Sequence, residues 1–239
     1  MLLNGQNCTN QIEETFHLLL DGEYIFGRVV SKTNKRQKKK QIKMRNKKLI
    51  KKYPFLLPRN VWTGKVPKDY DYTYTEYGCL SKGWKAGFGK FWLEDLREAL
   101  IKTNFMDKFM FMELKEKYGS FRQYCNGAPE EVHEVIRKYE YISEYICYQC
   151  GSPHACVVND YGWYLPLCKD CWDKNNKKRA EKGYKVVSWD EVADESCTGL
   201  PDEYKYTTYS KGEDVVTTVD ISETANKIRK TFEKKKENK

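Results

Sequence analysis

The chain has 239 residues, 40% hydrophobic and 14% aromatic, enough for one ordinary domain with appendages or two small domains. No apolar run approaches the roughly 20 residues that a bilayer span needs. The polar first ten residues show no basic region leading into an apolar stretch, so neither a membrane span nor a secretory leader is expected. The net charge of +9 is local: residues 31–52 carry twelve Lys or Arg and no acid, leaving 31 bases against 34 acids elsewhere.

Cysteine usage sets the compartment expectation. Nine cysteines is an odd number, and four of them form two CxxC pairs. In a chain without a leader this favours metal over disulfides, so a reducing cytoplasm is expected.

Residues 1–30 read as a small N-terminal appendage. It would hold a helix over 11–20, with Ile12, Phe16, Leu19 and Leu20 on one side, and a short strand over 24–30. Residues 31–52 form a basic arm, either a solvated linker or a helix that orders against a polyanion. Its candidate nucleic-acid contacts are Lys35, Arg36, Lys38, Lys39, Lys40, Lys43, Arg45, Lys47 and Lys48. A central α+β domain is expected over 53–182. In it Tyr70, Tyr72 and Tyr74 alternate with polar residues at the strand period. An amphipathic helix is predicted over 88–102. A hairpin follows, with strands at 105–114 and 120–125 and a turn at Tyr118-Gly119. Pro129, Glu130 and Glu131 suit the first turn of a further helix. Its stripe of Val132, Val135, Ile136, Tyr139, Ile142 and Ile146 delivers the chain to Cys147.

Residues 147–182 hold the chemistry. Cys147 and Cys150 are separated by 17 residues from Cys168 and Cys171, the spacing of paired-CxxC zinc sites. Zn²⁺ takes four tetrahedral ligands, with sulfur at about 2.3 Å. Four protein thiolates leave no position for water, so the ion would be structural. His154 and Cys156 lie inside the loop as competing ligands. A knuckle, a hairpin across Tyr161-Gly162, and a helix from Trp172 onward make a treble-clef-like or ribbon-like module. Lys169, Lys174, Lys177, Lys178 and Arg179 lie nearby to balance the thiolates. Cys8, Cys79, Cys125 and Cys197 read as packing residues. Residues 183–239 read as a C-terminal hairpin, with strands at 204–209 and 213–221, then a helix capped by Ser222 with Ala225, Ile228 and Phe232 on one face.

No catalytic set stands out. The three histidines, His17, His133 and His154, are spread along the chain. No phosphate-cradling glycine loop, HExxH helix or serine elbow is present. A nuclease would need a partner for His154 that the sequence does not supply. Tyr53, Phe55 and Trp62 flank the basic arm and are candidates either for base stacking or for the core.

Several segments together carry a resemblance. They are NKKLIKKYPFLLPRN at 46–60, DYDYTYTE at 69–76, Gly83-Trp84, LKEKYG at 114–119 with Arg122 and Tyr124, and the CxxCG knuckle running through Gly162-Trp163 to Leu167-Cys168. Over about residues 44–172 the chain resembles a family of uncharacterised proteins encoded by phages and prophages, notably of low-GC Gram-positive bacteria. The resemblance implies a viral context and a zinc site, not a reaction. The expectation is therefore a binding protein that engages a host protein or ribonucleoprotein, a CRISPR effector with its RNA being one such target. The alternative is direct, non-sequence-specific binding of RNA or DNA through the basic arm.

Overall fold

Helix α1 (Lys35–Lys52) opens the part of the chain that the computed structural model describes, residues 35–194, 197–210 and 213–237. The helix and strand expected within residues 1–30 lie outside it. From Lys35 onward the basic arm is thus a helix docked on its own chain, not a linker. Lys, Arg, Gln and Met are good helix formers, and one stripe is covered. Asn46 and Leu49 are buried. Asn46 Nδ2 donates to Tyr72 O at 2.8 Å, Lys43 pairs with Asp71 at 2.8 Å, and Lys47 sits 4.9 Å from the Tyr72 ring centroid.

The tyrosine run is not the expected strand. Asp71 Oδ1 accepts from Thr73 N (3.1 Å) and Thr73 Oγ1 (2.6 Å), and Tyr72 takes φ 65°. This Asx turn curls the segment, so the rings cluster instead of alternating. Tyr70 lies 4.9 Å from Tyr72 and 5.3 Å from Tyr74.

Just beyond, burial of Glu76 raises its carboxyl pKa from 4.5 to about 7. The folded state therefore holds this proton more tightly than the unfolded chain. Stability from the neutral form is complete below about pH 4.5 and lost as pH rises towards 7. A shift of this size corresponds to about 3 kcal/mol, and the group is only half-buried, so solvent screening reduces it to about 1–2 kcal/mol. Glu76→Gln should stabilise the protein by that amount at pH 8 and change it little at pH 4.5, measured by urea unfolding at both pH values.

The next helix begins six residues before the expected 88–102. It comprises α2 (Lys82–Trp84), one π turn (Lys85–Gly89) and α3 (Lys90–Lys102). Ser81 Oγ accepts from Trp84 N at 3.1 Å and starts it. Gly83, Gly87 and Gly89 argue locally against a helix, but tertiary packing overrides that propensity.

Strands β1 (Phe111–Lys117) and β2 (Ser120–Cys125) pair antiparallel. The segment expected as strand from residue 105 is instead a turn. Asn126 pins it, accepting from Met110 N at 2.7 Å and donating to Lys108 O at 2.7 Å. Tyr118 and Gly119, at φ 54° and 82°, make the two-residue turn that matches strand twist. Helix α4 (Glu130–Glu144) lies within the expected 129–146.

The main core lies between α3, α4 and the first hairpin, where Trp84, Phe88, Trp92, Phe121 and Tyr139 are all buried. Gln123 knits it together. Its Oε1 accepts from Trp92 Nε1 at 2.7 Å and its Nε2 donates to Ile136 O at 3.2 Å.

Strands β3 (Ala155–Asp160) and β4 (Trp163–Cys168) form the second hairpin, followed by α5 (Lys169–Ala180) and the short α6 (Trp189–Val192). Strands β5 (Glu203–Ser210) and β6 (Glu213–Asp220) form the third, and α7 (Ser222–Glu237) closes the described chain. Ser222 is the first residue of α7 and not its cap; Asp220 Oδ1 accepts from Ser222 N at 2.7 Å. Leu200, Tyr204, Ile221, Ala225 and Ile228 are buried in the main core. The protein is therefore mixed α+β, with three two-stranded antiparallel hairpins among the described residues. Among the described residues no helix is long and apolar enough to cross a membrane.

Candidate metal centre

The end of α4 positions the first cysteine pair. Trp84 Nε1 donates to Ser143 O (3.0 Å) and Ile146 O (3.1 Å), so two carbonyls at the helix exit are satisfied by one buried indole. The chain then curls into the knuckle. Gly151 N donates to Cys147 O at 2.9 Å, and Cys147 N to Ser152 O at 2.8 Å. Gly151 has φ 81°, the left-handed conformation that closes such a turn. Tyr148 N donates to Pro166 O at 2.7 Å, tying the knuckle to β4.

The second pair sits at the start of α5. Cys168 occupies the cap position in an extended conformation (φ −92°, ψ 159°), and Cys171 lies in the first turn. Helix N-terminal amides favour negative charge, so a thiolate is stabilised there.

These elements bring Cys147, Cys150, Cys168 and Cys171 together. Their four sulfurs lie within 4.8 Å of one another, with three of the residues buried and Cys150 exposed. Cys150 Sγ stands 3.6 Å from Cys168 Sγ. A tetrahedral ion with sulfur at about 2.3 Å places its ligands about 3.8 Å apart, so the set fits one metal ion. Among the described residues no other group of three or more His, Cys, Asp or Glu side chains is arranged to hold an ion.

The thiols also show why a cation suits them. Hydrogen bonds from Cys150, Cys168 and Cys171 pull the Cys147 thiol far below its ordinary pKa. Interactions led by Cys147 push Cys168 and Cys171 far up. Cys150 is lowered too, so thiols this close favour thiolates on the first pair and oppose them on the second. A divalent ion reverses that opposition by letting all four ionise.

Neither competing ligand joins the cluster. His154 is exposed, with its backbone N donating to Ser152 Oγ at 3.3 Å. Cys156 is bonded to Cys197 in a disulfide. That pairing corrects three expectations: Cys156 is not a spare ligand, Cys197 is not a packing thiol, and a disulfide stands beside the metal cluster where the cysteine pattern favoured metal over disulfides. The sequence separation of 41 residues carried no local signal for it. The disulfide ties β3 to the segment after α6, and both cysteines border the small core around buried Trp172.

Two of the cations expected to balance the thiolates are engaged elsewhere. Lys169 pairs with Asp173 at 2.7 Å, and Arg179 pairs with Asp160 at 2.8 Å while lying 4.0 Å from the Tyr161 ring centroid. Trp172 Nε1 donates to Val187 O at 3.0 Å, so the chain after α5 folds back over the module.

The knuckle has a partner that sequence reasoning missed. A Cβ on Gly83 would stand 2.0 Å from Cys147 O and 2.5 Å from Tyr148 C and O. A Cβ on Gly87 would stand 2.4 Å from Ile146 Cγ2. Gly83 N donates to Tyr148 O at 3.0 Å. The knuckle backbone thus lies directly on a glycine face of α2 and the π turn. Glycines four residues apart were the available signal.

No family model, curated protein or solved structure matches this chain.

The candidate nucleic-acid contacts divide by position on α1. Lys35, Arg36, Lys38, Lys39, Lys40, Lys47 and Lys48 are exposed. Lys43 and Arg45 are half-buried, and burial lowers the Arg45 pKa. Of the flanking aromatics, Tyr53 and Phe55 are buried at 3% exposure, whereas Trp62 is 90% exposed.

Proposed function

We propose that the chain is a binding protein in which one structural Zn²⁺, held by Cys147, Cys150, Cys168 and Cys171, staples a scaffold that presents α1 to nucleic acid. The carrying observation is that residues 35–52 of the acid-free basic run are already a helix, docked through Asn46 and Leu49 with most of its lysines left exposed. A preformed cationic helix binds without first meeting the entropy of ordering itself. Lysines contact phosphates without reading sequence and release counterions as they do so.

Binding of labelled 20-nucleotide RNA and DNA should therefore fall steeply with salt. Replacing Lys38, Lys39, Lys40, Lys47 and Lys48 with Ala preserves helix propensity and should abolish binding at moderate salt. Where binding remains measurable, the log–log salt slope should shrink by about four. Fluorescence anisotropy between 50 and 200 mM salt reads both effects. Unchanged affinity in the five-site variant would remove α1 as the contact.

The resemblance to phage-encoded proteins supports a second setting for the same surface. There the nucleic acid belongs to a host defence ribonucleoprotein, such as a CRISPR effector with its RNA, in the bacterial cytoplasm. Target cleavage by a purified effector should then be inhibited by the wild-type protein and not by the five-site variant. Cleavage indifferent to saturating wild-type protein would remove that effector as the target.

A further inference from the structure

Trp62 is the most exposed of the large apolar side chains among the described residues, and its loop is built to keep it there. It is 90% exposed, whereas Trp84, Trp92 and Trp172 are at most 1% exposed. Asn60 Oδ1 accepts from Trp62 N at 3.0 Å and from Thr63 N at 2.9 Å. Asn60 N donates to Lys65 O (2.9 Å), Gly64 N to Asn60 O (2.8 Å), and Arg59 Nη1 to Gly64 O (3.1 Å). Gly64 takes φ 67°, which closes the loop. This backbone is fixed by its own hydrogen bonds, while the indole makes no comparable contact with the core. Burying an indole usually stabilises a fold substantially, so its presentation on a rigid loop calls for a ligand.

Position and charge identify the ligand. The chain leaves α1 at Lys52 and is back alongside it by Asp71, which pairs with Lys43 at 2.8 Å. Lys43 and Lys52 are about 14 Å apart along the helix at 1.5 Å per residue. The Trp62 loop is therefore held to α1 at both ends. Arg59, Lys65 and Lys68 extend the basic run, so residues 31–68 contain 15 Lys or Arg and no acid. An exposed aromatic within an acid-free cationic stretch has the composition of a single-strand platform, where phosphates meet cations and unpaired bases stack on rings. A duplex keeps its base faces stacked internally and offers only phosphates and groove edges to such a surface.

We infer that Trp62 stacks on an unpaired base and makes the α1 surface prefer single-stranded over duplex nucleic acid. This rests on the nucleic-acid reading of α1 and adds its substrate class. Trp163 supplies the control. It is 71% exposed but lies in the second hairpin, opposite Asp160 and outside the acid-free run of residues 31–68.

The test is anisotropy with a 20-nucleotide oligo-U RNA, an oligo-dT DNA and a 20-base-pair duplex, on the full chain. Trp62→Ala should weaken single-strand binding by about 5- to 150-fold, the range for losing one base stack. Duplex affinity and salt slope should stay unchanged, because no phosphate contact is lost. Trp62→Phe should recover most of the loss, and Trp163→Ala should bind as the wild type does. An unchanged melting temperature confirms that each variant is folded. Trp62→Ala weakening neither probe, or both equally, overturns the stacking assignment. If the five-lysine variant still loses binding in that case, the reading of α1 stands. Wild-type protein that binds neither single strand nor duplex overturns both.

Discussion

Gly83→Ala should be among the most damaging single substitutions in the described chain, although it adds one methyl group to a short helix. The added Cβ would lie 2.0 Å from Cys147 O and 2.5 Å from the Tyr148 carbonyl. These are backbone atoms, so no side-chain rotation relieves the clash. The knuckle must lift, breaking the Gly83 N to Tyr148 O bond and disturbing the indole bonds from Trp84 to Ser143 and Ile146. Overpacking usually costs about 1–3 kcal/mol, and a rigid neighbour takes it higher. The expected loss is about 4 kcal/mol or more, a fall of roughly 10 °C in melting temperature for a chain of this size. Gly87→Ala should cost less, because its nearest clash is with a side-chain atom, Ile146 Cγ2 at 2.4 Å, and the nearest backbone atom, Gly151 O, lies 3.2 Å away. Gly78→Ala meets nothing within 4 Å and should be nearly neutral. Gly151→Ala combines φ 81° with a 2.7 Å approach to Gly83 O and should resemble Gly83→Ala. Thermal melts of the four variants test this order. Equal melting temperatures for Gly83→Ala and Gly78→Ala would show that the knuckle does not rest on this helix.

What the sequence revealed and what it concealed follow from how local each cause is. The stripe from Val132 to Ile146 predicts α4 because every fourth residue faces the same core. Tyr118-Gly119 and Tyr161-Gly162 predict their hairpins because two-residue turns need consecutive positive φ values. The paired CxxC motifs expose the metal ligands because a knuckle brings its two sulfurs together within four residues. The other features depend on distant partners. Helix α1 is covered by a loop that starts some 20 residues later, and Asp71 supplies charge compensation that the run itself lacks. The helix from Lys82 tolerates its glycines because the knuckle, more than 60 residues on, needs their bare backbone. Cys156 and Cys197 join across 41 residues. The alternation of Tyr70, Tyr72 and Tyr74 misled because a strand signal needs a partner strand. An aspartate side chain accepting from Thr73 outcompeted that pairing.

Removing the metal should separate two parts of the structure with different dependence on it. The module's own core consists of Cys147, Ala155, Cys156, Val158, Leu167, Cys168, Cys171 and Trp172. Half of those residues are cysteines, so little apolar area remains to hold the module without an ion. Structural zinc contributes about 10–16 kcal/mol in zinc-finger peptides at neutral pH, more than such a core supplies. The main core draws instead on Trp84, Phe88, Trp92, Phe121 and Tyr139, and should survive chelation. A high-affinity chelator should therefore abolish a low-temperature unfolding transition and expose Trp172, seen as a red shift in tryptophan emission, while helical circular dichroism is largely kept. Metal analysis before chelation should give one equivalent of zinc. The Cys156–Cys197 disulfide limits how far the metal-free module opens, because it closes a loop across the hairpin, α5 and α6. Chelator plus reductant should consequently release more structure, and more protease sites within residues 147–192, than chelator alone. Cys147→Ser and Cys168→Ser place a hydroxyl where a buried thiolate belongs, and should lose zinc more completely than a serine at exposed Cys150. Protein that contains no zinc and ignores chelator would mean that the four thiols hold the fold by packing alone.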